Sequence, residues 1–400
     1  MFRVSPPRSA CAPFNPEPET QNPKLHRTDR GSVLVIIMVT LVFTALALTA
    51  FIEKAGNDLT AEARDSDARR LRQEAYSALH TTLAVLEQFR TATNGLHSPA
   101  EGWNDPLVFA GYVPSEGRTI DVAFEDESGK LSLPQANATQ LQNLFVAWAM
   151  TTGDAERLTD ALLGWMKKNH TYSTTISPDY DRAALPYVAP QRSLRSFEEL
   201  AAIEYARTVF FDETGRPTEL YRKFTDAVSL FNFRQTNLNG ARPDILTAVG
   251  EFDDTQQRRL TEHLTGTGAS SNAGPAWFTN PADARGILGA VGRANAFGTT
   301  ISALRIRLTV HDGRSEFRLN VVVSPQGGGA TTVQTTATTT RAAASEEAAA
   351  NPGSTPKPNT VPTPAATAAA AAKKLNFPFT LLEIRENEPL PPPPPPVPTI

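Results

Sequence analysis

The chain has 400 residues, of which 40% are apolar and 20% charged, enough for one large or two ordinary packed domains. A formal net charge of -4 and a pI near 5.9 provide no global field for holding a polyanion, so nucleic acid is not the expected partner. The single cysteine, Cys11, precedes the apolar segment described next, which excludes disulfides within the later domain and cysteine-based zinc sites.

Residues 33–52 read VLVIIMVTLVFTALALTAFI without a charge. At 1.5 Å per residue this helix is roughly 30 Å long, the thickness of a bilayer's hydrocarbon core. Thr40, Thr44 and Thr49 fit there, because a hydroxyl in a helix bonds back to the preceding turn. Lys24, His26, Arg27 and Arg30 lie upstream, and Glu53, Asp58 and Glu62 downstream, so the basic flank is expected to stay cytoplasmic and the bulk to be exported. The apolar stretch is too long for an ordinary secretory signal, whose cut would follow it. The other possible cut precedes it, at Gly31-Ser32.

That arrangement resembles a prepilin: a basic leader ending in glycine, cleaved on the cytoplasmic side by prepilin peptidase, with the new amino terminus N-methylated. The resemblance implies that the mature chain begins at Ser32, while the residues alone also permit a plain signal anchor with an incidental glycine. Leu71, Ala75, Leu79, Leu83, Leu86 and Phe89 then recur at helical spacing up to Asn94-Gly95. A helix over 32–93 would measure roughly 90 Å, half in lipid and half packed on a domain as a stem.

Residues 118–124 (RTIDVAF) alternate as a half-buried strand does, and Asp126-Glu-Ser-Gly129 is expected to turn the chain into a second strand at 130–133. Residues 302–311 and 314–324 alternate around Asp312-Gly313, a strong hairpin signal, and 379–385 (FTLLEIR) is a last strand. The strands frame a helical block at 134–297. Within it, 130–136 before a helix at 139–150 is weakly repeated by 236–241 before a helix at 243–249, each opening on polar residues able to cap free amides. Helical spacing also marks 155–166 and 196–207, the latter opening with Ser196-Phe-Glu-Glu199, a capping box.

The order of the turn at 126–133 (DESGKLSL), Leu162-Leu-Gly-Trp165, Pro186-Tyr187, Ser196-Phe-Glu-Glu-Leu200, 236–241 (TNLNGA) and a terminal hairpin resembles the K-type minor pseudopilin of type II secretion systems. The resemblance covers residues 30–385 apart from a low-complexity insert. It implies an α+β fold with a long transmembrane and stem helix (32–93) after a cytoplasmic leader (1–31). An antiparallel pseudopilin core (94–133 and 298–385) would then carry an inserted all-α, sterile-alpha-motif-like domain (134–297).

The same resemblance implies a single-pass bacterial inner-membrane protein with a periplasmic bulk, assembling at a pseudopilus tip. Its implied partners are other minor pseudopilins, the major pseudopilin and prepilin peptidase, with no nucleic acid. Most pilins carry Glu at the fifth mature position, where this chain has Ile36, and K-type subunits resemble it in lacking the acid. A charge in the bilayer must be paired. A subunit with Ile36 therefore offers nothing to a subunit ahead of it, which suits a cap.

K-type subunits are associated with calcium in the inserted region. Asp179 and Asp181 are the candidate ligands, calcium preferring several oxygens from a loop. The segment before them, Lys167-Lys168-Asn169-His170, departs from the family's acidic pattern, and solvated acids forming Asx turns are the plainer reading. Asp126-Glu127 and Asp212-Glu213 read as turn chemistry.

Residues 237–244 resemble the opening of a helix-hairpin-helix DNA-binding unit, but Glu251, Asp253 and Asp254 follow and would repel phosphate. No hydrolase elbow, phosphate loop, dinucleotide fingerprint or paired-histidine zinc motif occurs. The histidines are read as scattered in loops or at strand ends, apart from His80 on the stem. Gly286, Gly289 and Gly292 suggest close packing or a loop. Residues 326–374, rich in Thr, Ala, Pro and Gly, read as a disordered loop, and 386–400 as a Pro-rich tail with polyproline II character. The rivals to an export pseudopilin are a minor pilin of a type IV pilus, a bitopic membrane enzyme and a DNA-binding module.

Overall fold

The computed structural model describes residues 30–176, 178, 180, 186–268, 276–289, 293, 296–332 and 378–388. It divides into two bodies, Met1–Asp67 and Ala68–Ile400. In the first, the described chain is one helix, the opening part of α1 (Arg30–Thr93). Its apolar side chains are exposed throughout 33–52, and its most apolar window has a mean hydropathy of 2.7, long and apolar enough to cross a membrane. Thr40 donates to the Ile36 carbonyl, Thr44 to Leu41 and Thr49 to Ala45, each at 2.9 Å, so no hydroxyl is left to face lipid unpaired.

In the second body α1 buries the expected stripe of Leu71, Ala75, Leu79 and Leu86, with Leu83 and Phe89 at its margin. It stops where Asn94 takes a left-handed φ of 56°, as the Asn-Gly pair implies. The stripe packs on one face of a four-stranded antiparallel sheet of order β1-β6-β7-β8, built from β1 (Arg118–Asp126), β6 (Leu304–Asp312), β7 (Ser315–Pro325) and β8 (Phe379–Glu386). Leu304, Ile306, Leu308 and Val310 point from β6 into that core and Leu319, Val321 and Val323 from β7, while Arg305 and Arg307 leave on the other face. The β6-β7 hairpin forms as expected: Asp312 pairs with Ser315, and Gly313 (φ 58°) opens the two-residue loop.

One expected hairpin does not form. β1 pairs with β6, Phe124 opposite Ile306, and residues 131–132 leave the sheet. The Asp126 carboxylate accepts from the Ser128 amide (2.9 Å) and hydroxyl (2.6 Å), winding Glu127–Gly129 into a 3-10 turn that sends the chain away. β2 (Leu131–Ser132) instead pairs in parallel with β3 (Val228–Ser229).

The helices between these strands enclose a second apolar cluster, running from Leu131 to Phe297. They are α3 (Ala138–Ala147), α4 (Thr152–Met166), α5 (Glu204–Phe210), α6 (Glu219–Ala227), α7 (Pro243–Gly250), α8 (Asp254–Thr265) and α9 (Ala284–Leu288). Near the stem, α2 (Pro106–Phe109) is a single turn opened by Asp105 and Pro106. Asn137 caps α3 through a capping box with Gln140, but α7, its counterpart in the weak repeat, has Arg242 at its N-cap and no side-chain cap. Asn237 is occupied elsewhere: it lies in β4 (Thr236–Asn237), paired in parallel with β5 (Phe297–Gly298).

The expected helix over 196–207 is two pieces, a 3-10 turn at Phe197–Ala202 and then α5. Ser196 accepts from the Glu198 amide rather than from Glu199, and the Glu199 carboxylate accepts from the Arg195 amide, so the capping box is replaced by a tighter turn. Of the expected disordered loop, 326–332 is packed: Ala330 is buried, Asn232 bridges Thr331, and the Gln326 amide donates to the Pro378 carbonyl at 2.9 Å. Residues 333–377 and 389–400 lie outside the described residues.

Candidate functional site: an apolar anchor and a polar joint

Among the residues singled out in the sequence, the backbone of Gly31 and Ser32 is already helical within α1, and Ile36 is an exposed side chain on the same rod. The first charge after it is Glu53. Asp179 and Asp181 lie outside the described residues.

Stem and sheet are tied at polar points the periodicity did not mark. Glu74, buried on α1, accepts from Tyr112 Oη (2.8 Å), Ser115 Oγ (2.6 Å) and the Ser115 amide (3.2 Å), and pairs with Arg118 at 3.4 Å. Burial pushes its carboxyl up, but the Ser115 and Tyr112 hydrogen bonds outweigh that and hold it below its ordinary value. At the far edge strand, Glu386 accepts from Arg72 and, at 2.6 Å, from Tyr76. The only signal for Glu74 was its position: an acid within an apolar stripe needs partners.

The motif residues at 126–133 and 236–241 meet in one polar joint between sheet and helical block. Asn237, fully buried, donates to Asp126 Oδ2 at 2.7 Å and to the His97 carbonyl at 3.1 Å. Asn239 donates to the carbonyls of Phe278 and Thr299, and His97 Nδ1 to Thr299 O at 2.8 Å. Ser128 Oγ accepts from the Ser302 amide. Both glycines are required by close approach: a Cβ on Gly129 would stand 2.5 Å from the Gly240 carbonyl oxygen, and one on Gly240 2.4 Å from Asp126 Oδ2. Burial pushes the Asp126 carboxyl up to about 6, the hydrogen bonds from Ser128 and Asn237 opposing it. Within the 237–244 segment, Asn237 and Asn239 are thus engaged in internal hydrogen bonds, while Gly240, Arg242 and Pro243 are exposed.

Beside the joint, a cleft of about 1040 Å³ lies between the outer face of the sheet and the helical block. Its charges neutralise one another: Arg305 pairs with Glu127 at 2.6 Å and Lys130 with Glu125 at 2.6 Å, while Arg385 bonds Glu388. The Glu125 carboxyl, raised by burial, is brought below its ordinary value chiefly by Lys130.

The remaining motifs are structural as well. Trp165 packs edge-on against Tyr180 and Tyr187. Asp212 accepts from the Thr214 and Arg216 amides in the turn expected of it. His263 sits on α8, not in a loop, stacked on Phe278. Gly286 and Gly289 have open space where a Cβ would stand, so close packing is not their reason; Gly289 ends α9 at φ 80°, and Gly292 lies outside the described residues.

A comparison with curated proteins finds no match. Among solved structures, the chain is similar to one in the crystal structure of the GspK-GspI-GspJ complex from the enterotoxigenic Escherichia coli type 2 secretion system, at 16% identity and a TM-score of 0.49, over 67% of this chain and 95% of that one. Residues 123–211 match the family model of type II secretion system protein K. The matched stretch runs from the end of β1 through the Asp126 turn, Leu162-Leu-Gly-Trp165, Pro186-Tyr187 and the Ser196 turn to the end of α5. Over these residues the chain is similar to the protein K family of type II secretion systems.

Proposed function

We propose that this chain is a K-type minor pseudopilin that acts by assembly, capping the tip of a periplasmic pseudopilus with partner minor pseudopilins. In this reading prepilin peptidase removes residues 1–31 on the cytoplasmic side and Ser32 becomes the N-methylated amino terminus. The apolar rod then remains in the inner membrane as the handle by which subunits bundle, and the sheet and helical block lie in the periplasm. The observation that carries the reading is the uncharged, wholly exposed helix face over 33–52 with Ile36 five residues into it from Ser32, on a chain whose residues 123–211 match the protein K family model. Exposed apolar surface of this extent needs lipid or other helices to cover it.

The deciding experiment is mass spectrometry of the native chain purified from cells with an active processing peptidase. The expected amino terminus is methylated Ser32. A chain still carrying Met1, or one beginning beyond Ile52, would overturn the assignment.

A further inference from the structure

The family resemblance brings calcium to the loop after α4, and the described residues there do not fit that role. Asp160, on α4 and 3% exposed, is the carboxylate the fold aims at this loop. Its Oδ2 accepts from the Ser173 amide (2.9 Å) and hydroxyl (3.1 Å) and from the Thr174 amide and hydroxyl (2.7 Å each), and Oδ1 faces His170 Nε2 at 3.0 Å. A carboxylate only accepts, so His170 donates from Nε2. Two oxygens offer about four lone-pair sites, and five donors already compete for them. Nothing is left for a cation that demands six to eight oxygens at about 2.4 Å.

A second observation makes the same loop seat without a metal. Gly164 lies one turn beyond Asp160 on the same face of α4, and the ring of Tyr172 rests where its side chain would be: a Cβ there would meet Tyr172 Oη at 2.1 Å and Cζ at 2.6 Å. His170 and Tyr172 pack edge to face at 5.0 Å. Lys167 Nζ, at the head of the loop, donates to the Ala136 carbonyl at 3.1 Å. Within the 167–170 segment, Lys167 therefore bonds a carbonyl and His170 bonds Asp160.

We infer that Asp160, with its five protein donors, and the Gly164 seat for Tyr172 form a cation-independent clamp that closes the 167–176 loop on α4. The clamp stands on its own geometry and is independent of whether the chain caps a filament. Its failure leaves the mature amino terminus untouched, so the two readings are separable.

The test is timed trypsin cleavage after the exposed Lys168, using the full chain in detergent, in calcium chloride and in a chelator. Cleavage reports local opening of the loop. The native rate is expected to be the same in both solutions. Asp160→Asn is expected to raise it by about 10- to 100-fold, since charge-assisted bonds are lost, and Gly164→Ala to raise it with Asp160 intact. Should Asp160→Asn fail to fold, Thr174→Val, which removes one hydroxyl donor, is expected to give about a tenfold rise that calcium does not reverse. Calcium slowing native cleavage, calcium rescuing Thr174→Val, or a foldable Asp160→Asn cleaved at the native rate would each overturn the inference.

Discussion

Asn237 Nδ2 reaches Asp126 Oδ2 across 2.7 Å, joining two residues that lie 111 positions apart in the chain. The bond links the last residue of β1 to a two-residue strand of the helical block, and the same amide also holds the His97 carbonyl. It is the point at which sheet and helical block are made to share one geometry. Replacing Asn237 with Ala strips a donor from a buried carboxylate and from a carbonyl together. The expected loss is about 2–4 kcal/mol, because the groups left behind keep their desolvation cost. Asn237→Asp is expected to be worse near neutral pH, where two carboxylates would face each other, and to recover on acidification. Urea unfolding of the full chain in detergent, followed by near-ultraviolet circular dichroism, measures both.

The two buried acids give opposite pH signatures. Asp126 is raised by burial from an ordinary value near 3.8 to about 6, so its protonated form is favoured by folding. The stability it contributes is complete below about 4 and is lost as pH rises through 6, a difference of about 3 kcal/mol. Glu74 is raised by burial but lowered further by Ser115 and Tyr112, so its contribution is complete above its ordinary value near 4.5 and is lost as pH falls through its lowered value. Unfolding free energies between pH 3 and 7 are therefore expected to lose their slope between 4 and 6 in Asp126→Asn. In Glu74→Gln they are expected to lose the acid-side fall below 4.5. An unchanged slope in the Asp126 variant would show that another group titrates there.

How much of this was readable in advance depends on the range of each interaction. Asp312-Gly313 specifies a turn locally, so the β6-β7 hairpin was legible, and the 71–89 stripe named its own buried face. β1 was legible as a strand but not by partner, because alternation identifies a face and says nothing about which strand lies alongside; β6 is some 180 residues away. Asp126 read as a turn former and is one, but its second oxygen serves Asn237, which no local pattern announces. Ser196-Phe-Glu-Glu199 failed as a capping box because Arg192 and the Arg195 amide engage Glu199 first. Gly164 was visible only as part of a motif, its reason being the Tyr172 ring that folds back over it.

Ile36 carries the last prediction. In the pilin reading, an acid at the fifth mature position pairs with the amino terminus of the neighbouring subunit, and an unpaired charge inside the bilayer costs about 2.5–3.5 kcal/mol or more. With Ile36 on an exposed helix face the chain has no such group to present, so a position with no subunit ahead of it is the one that costs nothing. Immunogold labelling of overproduced pseudopili is expected to find the native chain at one end of each filament. Ile36→Glu restores an acid on the same helix face without disturbing any contact in the second body, and is expected to leave expression and processing unchanged while adding label along the shaft. Even labelling of the native chain along filaments would remove the tip assignment while leaving the match over 123–211 intact. Loss of the variant from the membrane would instead show that position 36 faces lipid in the assembled state and not a neighbouring subunit.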